Sequence, residues 1–207
     1  MRDIPLLAVA LTVCVYWLRV GAMALHARRR YRHDVGIVPE RPVERVMWLV
    51  FVPLVLAWCT LPWVALAHDG GAWAVPAFAR DASVYPALRW LAAACAVASL
   101  VLTIQCWRRM GAKWRMDISD DNTALITDGW FGRVRHPIYA FGILMMIATA
   151  LVLPSPSMIA LAVVHFAWMN LKARNEEAHL SRMHGEAYAR YVQRTGRFIP
   201  RPVVRNS

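Results

Sequence analysis

The chain has 207 residues, of which 58% are hydrophobic, and it carries ten tryptophans and a formal net charge of +11. The apolar residues come in blocks long enough to span lipid, and the basic residues lie between the blocks, a pattern that soluble domains of this size rarely show. We therefore predict an all-α, polytopic membrane protein. A nucleic-acid binder would need a basic face with interleaved aromatic residues on a soluble fold, and the sequence shows none.

The first half of the chain contains three apolar blocks, each long enough to cross a hydrocarbon core of about 30 Å. They run from about Ile4 to Leu25, from about Val46 to Ala67 and from about Leu88 to Trp107. Six arginines between Arg28 and Arg45 indicate a cytoplasmic loop, whereas the loop from His68 to Arg89 is poor in basic residues. The alternative role for the arginine-rich loop is contact with anionic membrane lipid. We expect an integral protein of a bacterial inner membrane, with its N-terminus outside and its C-terminus inside.

The polar segment from Arg108 to Arg135 follows the third block and carries six basic residues. Three aspartates, Asp117, Asp120 and Asp121, lie close together in it. They lack the pattern of a calcium-binding loop, so a solvated turn is the preferred interpretation and no metal site is predicted. The four cysteines lie in or beside apolar blocks without a CxxC pair, which is typical of small core residues.

The last two apolar blocks predict a tight helical hairpin. One helix begins at Pro137 or Ile138 and ends near Leu153, and the other runs from about Ser157 through Leu171. Each is only about 23 Å long, which is short for a full crossing. The second is expected to continue out of the membrane to about Thr195 as a cytoplasmic amphipathic helix. This gives about five spans and two regions, an N-terminal three-helix membrane region at 1–110 and a C-terminal region at 111–207.

The stretch LITDGWFGRVRHPIY, residues 125–139, opens the first helix of this hairpin. Pro137 suits the first helical position, which places His136 near the N-cap and puts His136 and Tyr139 on one face. The helix N-terminus, together with Arg133, Arg135 and His136, predicts an anion-binding lip at the membrane edge. The alternative is that the arginines only keep this loop on the cytoplasmic side of the membrane, by the positive-inside rule.

A short hairpin makes the cytoplasmic ends of its two helices neighbours. This brings His136 and Tyr139 close to the charged side chains that follow the second helix, Lys172, Arg174, Glu176 and Glu177. A pocket with cationic and anionic walls suits a zwitterionic ligand. The alternative for Glu176 is a weak ion pair on an exposed helix. His165, inside the hairpin, is either a functional group or a neutral histidine bonded to a neighbouring helix.

The stretch 125–139, the proline-broken hairpin, the adjacent glutamates, HGEAY and the final FIP together resemble the isoprenylcysteine carboxyl methyltransferase family, which groups with the phospholipid N-methyltransferases. The resemblance covers about Ala124 to Pro200 and leaves the first three spans unmatched. It implies an integral-membrane methyltransferase that uses S-adenosylmethionine, whose methionine moiety is a zwitterion, and it makes 111–207 the cofactor-binding catalytic region. It also implies a lipophilic small-molecule or lipidated acceptor with a carboxylate or another nucleophile.

The resemblance also implies roles for individual residues. By this resemblance, Leu125 and Ile126 make backbone contacts to adenosine, and Gly129 permits a turn. His136, Pro137 and Tyr139 match the cofactor-binding RHPxY motif of the family. Glu176 matches a cofactor-binding glutamate that faces the amino group. Phe131 is also one of the cofactor-binding residues and stands where the family usually has tyrosine. Lys172 stands where the family has an acceptor-positioning arginine, and Arg174 is the nearby arginine.

A carboxylate or thiolate acceptor needs no strong base, whereas an amine acceptor would have to be deprotonated. The only candidate bases are Glu177 and His179, which disfavours an amine. Two other functions stay open at this stage. One is an NADPH-dependent membrane reductase of the sterol-reductase type, for which no 2′-phosphate site is identifiable. The other is a non-enzymatic membrane scaffold.

Overall fold

The computed structural model describes residues 3–31, 42–68, 70–111 and 125–201. Over these ranges the chain forms six α-helices and no strand. They are α1 (Ile4–Tyr31), α2 (Pro42–Ala67), the short α3 (Ala77–Arg80), α4 (Tyr85–Met110), α5 (Pro137–Val152) and α6 (Pro156–Arg194). The predicted aspartate cluster and most of the arginine-rich loop lie outside the described residues.

Three helices are long and apolar enough to cross a membrane, over Ile4–His26, Met47–Ala67 and Tyr85–Met110. The apolar α5 is shorter. The predicted all-α membrane fold is therefore confirmed, and the predicted blocks agree with the helices to within a few residues. The third begins earlier than predicted because Pro86 lies in the first turn of α4, where its missing N–H costs nothing. The number of crossings and the orientation stay predictions.

Small buried residues let α4 approach its neighbours closely. Ala92, Ala93, Ala96, Ser99 and Thr103 are buried along one stripe of α4, which packs against α5 and α1. Small side chains at such an interface allow close backbone contact, and in lipid this packing takes the place of the hydrophobic effect.

One end of the bundle is closed by polar contacts around the end of α5. Tyr85 Oη and Arg89 Nε both donate to the Val152 carbonyl, at 2.9 and 3.2 Å. Arg89 also pairs with Asp3, which precedes α1. The last carbonyls of a helix lack partners within the helix, and these contacts satisfy one of them while joining α1, α4 and α5.

The predicted hairpin is present between α5 and α6. Ser155 caps α6, accepting a hydrogen bond from Met158 N at 3.3 Å, and Pro156 takes the first helical position. The second helix reaches Arg194, close to the predicted Thr195, but it is not continuous. Gly185 adopts φ +49° and ψ −121°, so the helix kinks there. The left-handed region is accessible to glycine because it lacks Cβ.

Candidate functional site

The chain enters α5 through His136 and Pro137 as predicted. His136 is the N-cap residue, Pro137 follows it, and the His136 side chain is not used as the cap. Only 6% of His136 is exposed. Its ring stacks on that of Tyr139, with the centroids 5.4 Å apart and the planes 1° from parallel. The expected shared face of these two residues is therefore confirmed.

The C-terminal strap, residues 195–198, pairs with this entry segment. Val134 and Gly196 form an isolated parallel bridge. Arg135 N donates to Gly196 O at 2.8 Å, and His136 N donates to Arg197 O at 3.1 Å. A Cβ at Gly196 would lie 1.7 Å from the Ile199 carbonyl oxygen, so the turn that follows requires glycine. The strap therefore fixes the backbone on which His136 stands.

Glu177 is held by two arginines that come from these paired segments. Arg135 Nε donates to its Oε1 at 2.9 Å, while Arg197 donates through Nε at 3.0 Å and Nη2 at 2.6 Å. His136 Nε2 lies 3.3 Å from the same carboxylate. Burial acts to raise the pKa of Glu177, but the hydrogen bonds from His136, Arg197 and Arg135 hold it well below its usual range.

Glu176 has different neighbours from Glu177. Tyr139 Oη donates to Glu176 Oε1, and His136 Nδ1 lies 3.4 Å from Glu176 Oε2. The Glu176 side chain keeps 24% of its surface exposed. Glu176 therefore does not form the weak ion pair on an exposed helix that was the alternative raised from the sequence. Its carboxylate lies beside the His136–Tyr139 stack, while the two arginines bind its neighbour.

The two glutamates affect the protonation of His136. Burial alone would lower the pKa of His136, but hydrogen bonds and charge interactions with Glu176 and Glu177 raise it above its ordinary value. A raised histidine pKa adds stability that is complete below the unfolded value of about 6.5 and is lost as pH rises through the folded value.

We therefore expect the apparent Tm of the protein in detergent to fall between pH 6 and pH 9, in contrast to a His136→Asn variant, whose Tm should change less over that range. Asparagine does not titrate, so the difference between the two melting profiles isolates the imidazolium. Parallel profiles for the two proteins would show that His136 carries no such linkage.

An apolar cavity lies next to Glu176, between α1, α2, α5 and α6. Its space is about 920 Å³ when the open mouth and adjoining solvent are counted, and about 100 Å³ is accessible to the centres of water-sized molecules. Aromatic rings dominate its wall, and Tyr139, Lys172 and Asn175 supply polar groups. Lys172 therefore lines the cavity, whereas Arg174 is exposed and does not belong to its lining.

The remaining motif residues lie elsewhere. Gly129 (φ +59°) and Phe131 line a second cavity, together with Gln105, Cys106, Arg109, Trp130 and Arg133. Leu125 and Ile126 are partly buried at the start of their described segment. The motif is therefore divided between His136, Pro137 and Tyr139 at the first cavity's edge and the glycine-containing turn at the second.

Several features of this site were missed by reasoning from the sequence. Arg197 was not selected, because one arginine in a strongly basic tail carries no distinguishing pattern. The predicted anion-binding lip exists in part, but the anion that Arg135 and His136 face is the protein's own Glu177. Arg133 instead lies over the Trp130 ring, 5.2 Å from its centroid. The contributions of α1 and α2 to the cavity were also missed.

One comparison with known proteins identifies a related family. No curated protein shows significant similarity to the chain. Residues 87–187, however, match the sequence profile of the phospholipid methyltransferase family. The match covers α4, α5 and the larger part of α6, and thus includes His136, Tyr139, Lys172, Glu176 and Glu177. Residues 87–187, just under half of this all-helical membrane protein, are therefore similar to the phospholipid methyltransferase family.

Proposed function

We propose that the protein is an S-adenosylmethionine-dependent methyltransferase that acts on a lipophilic acceptor at the cytoplasmic membrane surface. The observation that carries this proposal is the contrast between two adjacent glutamates. Glu177 is bound by two guanidinium groups, whereas Glu176 faces a stacked imidazole and phenol beside an apolar cavity. A carboxylate so placed attracts a cationic ligand.

The residues at this position fit the methionine end of S-adenosylmethionine. The Glu176 carboxylate suits its ammonium group, and the face of the Tyr139 ring suits a sulfonium cation. S-Adenosylmethionine supplies an electrophilic methyl group carried on that sulfonium. We assign Pro137 to the same region on the family motif. By resemblance we assign Leu125, Ile126, Gly129 and Phe131 to the adenosine side.

The cavity and its charges favour an acceptor that is already anionic. Lys172 lines the cavity and is the proposed acceptor-positioning residue, while Arg174 is left outside. Glu177 is a poor base, because its pKa is held well below the usual range. The protein would then contribute alignment and exclusion of water rather than proton abstraction. A carboxylate or comparable oxygen nucleophile is the acceptor we infer.

The family match supports methyl transfer over the two other readings. A phospholipid methyltransferase profile over residues 87–187 favours neither an NADPH-dependent reductase nor a non-enzymatic scaffold. Titration of NADPH into detergent-purified protein tests the reductase function directly.

Titration calorimetry with S-adenosylhomocysteine in detergent is the experiment that tests this proposal. We expect micromolar binding to the wild-type protein and at least about tenfold weaker binding to His136→Ala, which loses the stacked ring and its ion-pair contacts with Glu176 and Glu177. The control is His68→Ala, since His68 is exposed and its ring contacts the Val64 carbonyl of its own helix turn. Absence of binding to a cooperatively melting wild-type sample would refute the proposed cofactor.

A further inference from the structure

Three ring nitrogens that line the apolar cavity have no hydrogen-bond partner among the described residues. They are Nε1 of Trp17, Nε1 of Trp168 and Nδ1 of His165, and each of these atoms is buried. His165 is 1% exposed and Trp168 is 7% exposed. By contrast, Nε1 of Trp58 in the same wall donates to Thr149 Oγ1 at 3.2 Å. Buried polar groups in native proteins are normally paired, so this group of three calls for an explanation.

The chemistry of these atoms defines what would satisfy them. An indole N–H is a donor only, and a neutral imidazole offers one donor and one acceptor. The two tryptophans therefore require hydrogen-bond acceptors, and His165 accommodates either role. A hydrocarbon chain supplies no acceptor, so a saturated or polyprenyl tail would leave all three atoms unpaired. A carbonyl, ester or ether oxygen would pair with them.

The geometry of α6 places His165 and Trp168 at a defined depth in the cavity. His165, Trp168, Lys172 and Asn175 all line the cavity, and their spacing of three, four and three residues puts them on one helix face. His165 and Lys172 are seven residues apart, which corresponds to about 10 Å along the axis at 1.5 Å per residue. His165 therefore lies about two helical turns from the charged end at Lys172, and Trp168 lies about one turn from it. Trp17 and His165 both pack against the Trp58 ring, with centroids 6.4 and 5.0 Å from it.

We propose that the acceptor is an amphiphile with an anionic head beside Lys172 and a hydrogen-bond-accepting oxygen about 10 Å along its otherwise apolar body. The oxygen is held by Trp17, Trp168 and His165. This substrate class rests on the proposed function for the identity of the reacting end. The oxygen site itself depends only on the cavity and its unpaired donors.

Two probes matched in chain length test this proposal. They are decanoic acid and its derivative with a ketone at the ninth carbon, measured by tryptophan fluorescence on protein in nanodiscs. We expect the keto acid to bind the wild-type protein at least about fivefold more tightly, since a hydrogen bond to a buried donor contributes about that factor. In Trp168→Phe, which keeps an aromatic ring but loses the N–H, the preference should fall to about a third or less of its wild-type value.

Trp90→Phe is the matched control, because Trp90 is 55% exposed on α4 and lies outside the cavity lining. It should retain the full preference for the keto acid. Equal binding of the two acids to the wild type, or an unchanged preference in Trp168→Phe, would overturn the proposal. Equal binding of the two acids to the wild type is the result expected if water molecules already satisfy these nitrogens. Because the readout is binding without S-adenosylhomocysteine, failure of the proposed cofactor would leave this result unaffected.

Discussion

Glu176→Gln is expected to weaken S-adenosylhomocysteine binding about 100-fold, because removing one partner of a part-buried charge pair costs about 3 kcal/mol. Glutamine keeps the size of the side chain and still accepts a hydrogen bond from Tyr139. It cannot form an ion pair with an ammonium group, and it leaves His136 with one fewer anionic neighbour. Titration calorimetry of the two proteins in the same detergent measures the difference directly.

Glu186→Gln is the control for that substitution, because it removes the same charge from the same helix. The Glu186 side chain is 93% exposed and pairs with Arg190 across one helical turn. Its loss should leave binding within about twofold of wild type. If Glu176→Gln melts normally and binds S-adenosylhomocysteine as the wild type does, the carboxylate does not hold the cofactor, and the assignment of Glu176 is wrong.

Gly196→Ala is expected to have the largest effect on stability. The added Cβ would lie 1.7 Å from the Ile199 carbonyl oxygen, which is backbone and cannot move aside without displacing the turn. Release of the C-terminal strap would also withdraw Arg197 from Glu177. We expect a loss of about 3 kcal/mol, the upper end of the range for overpacking, and a fall in apparent Tm of about 10 °C for a chain of this size.

Two measurements separate strap release from general damage. Trypsin should cut after Arg197 faster in Gly196→Ala than in the wild-type protein, because the strap backbone would no longer pair with Arg135 and His136. Gly21→Ala serves as control, since a Cβ at Gly21 meets no atom within 4 Å. It should melt at the wild-type temperature or up to about 4 °C above it, because alanine favours the helix over glycine. An unchanged cleavage rate in Gly196→Ala would contradict the role assigned to the strap.

Local signals in the sequence were sufficient for the hairpin and its entry. Proline at the first helical position fixes where α5 begins, and the three-residue spacing then places His136 and Tyr139 on one face. The proline-containing break between the two helices makes the start of α5 and the part of α6 beyond Leu171 neighbours. These features depend on residues close together in the chain, so they can be inferred without knowing how distant helices pack.

The cavity and the C-terminal strap depend on contacts between distant parts of the chain. Trp17 and Trp168 line one cavity although about 150 positions separate them. In an apolar helix, a cavity-lining tryptophan and an exposed one such as Trp90 have the same hydropathy. Periodicity therefore does not distinguish them. The pairing of Arg197 with Glu177 likewise required the fold of the strap, since the tail offers many other basic residues.

The single helix that carries both His165 and Glu176 has a consequence for how this protein can diverge. Inserting or deleting one residue between them would rotate one group by about 100° relative to the other and move it by about 1.5 Å. The cavity wall and the charged end would then face different directions. Changes in length along this segment should therefore be strongly selected against, whereas single substitutions in the cavity wall could retune the acceptor without disturbing the charged end. New acceptor specificities would then arise by point mutation in the wall while the spacing to Glu176 is kept.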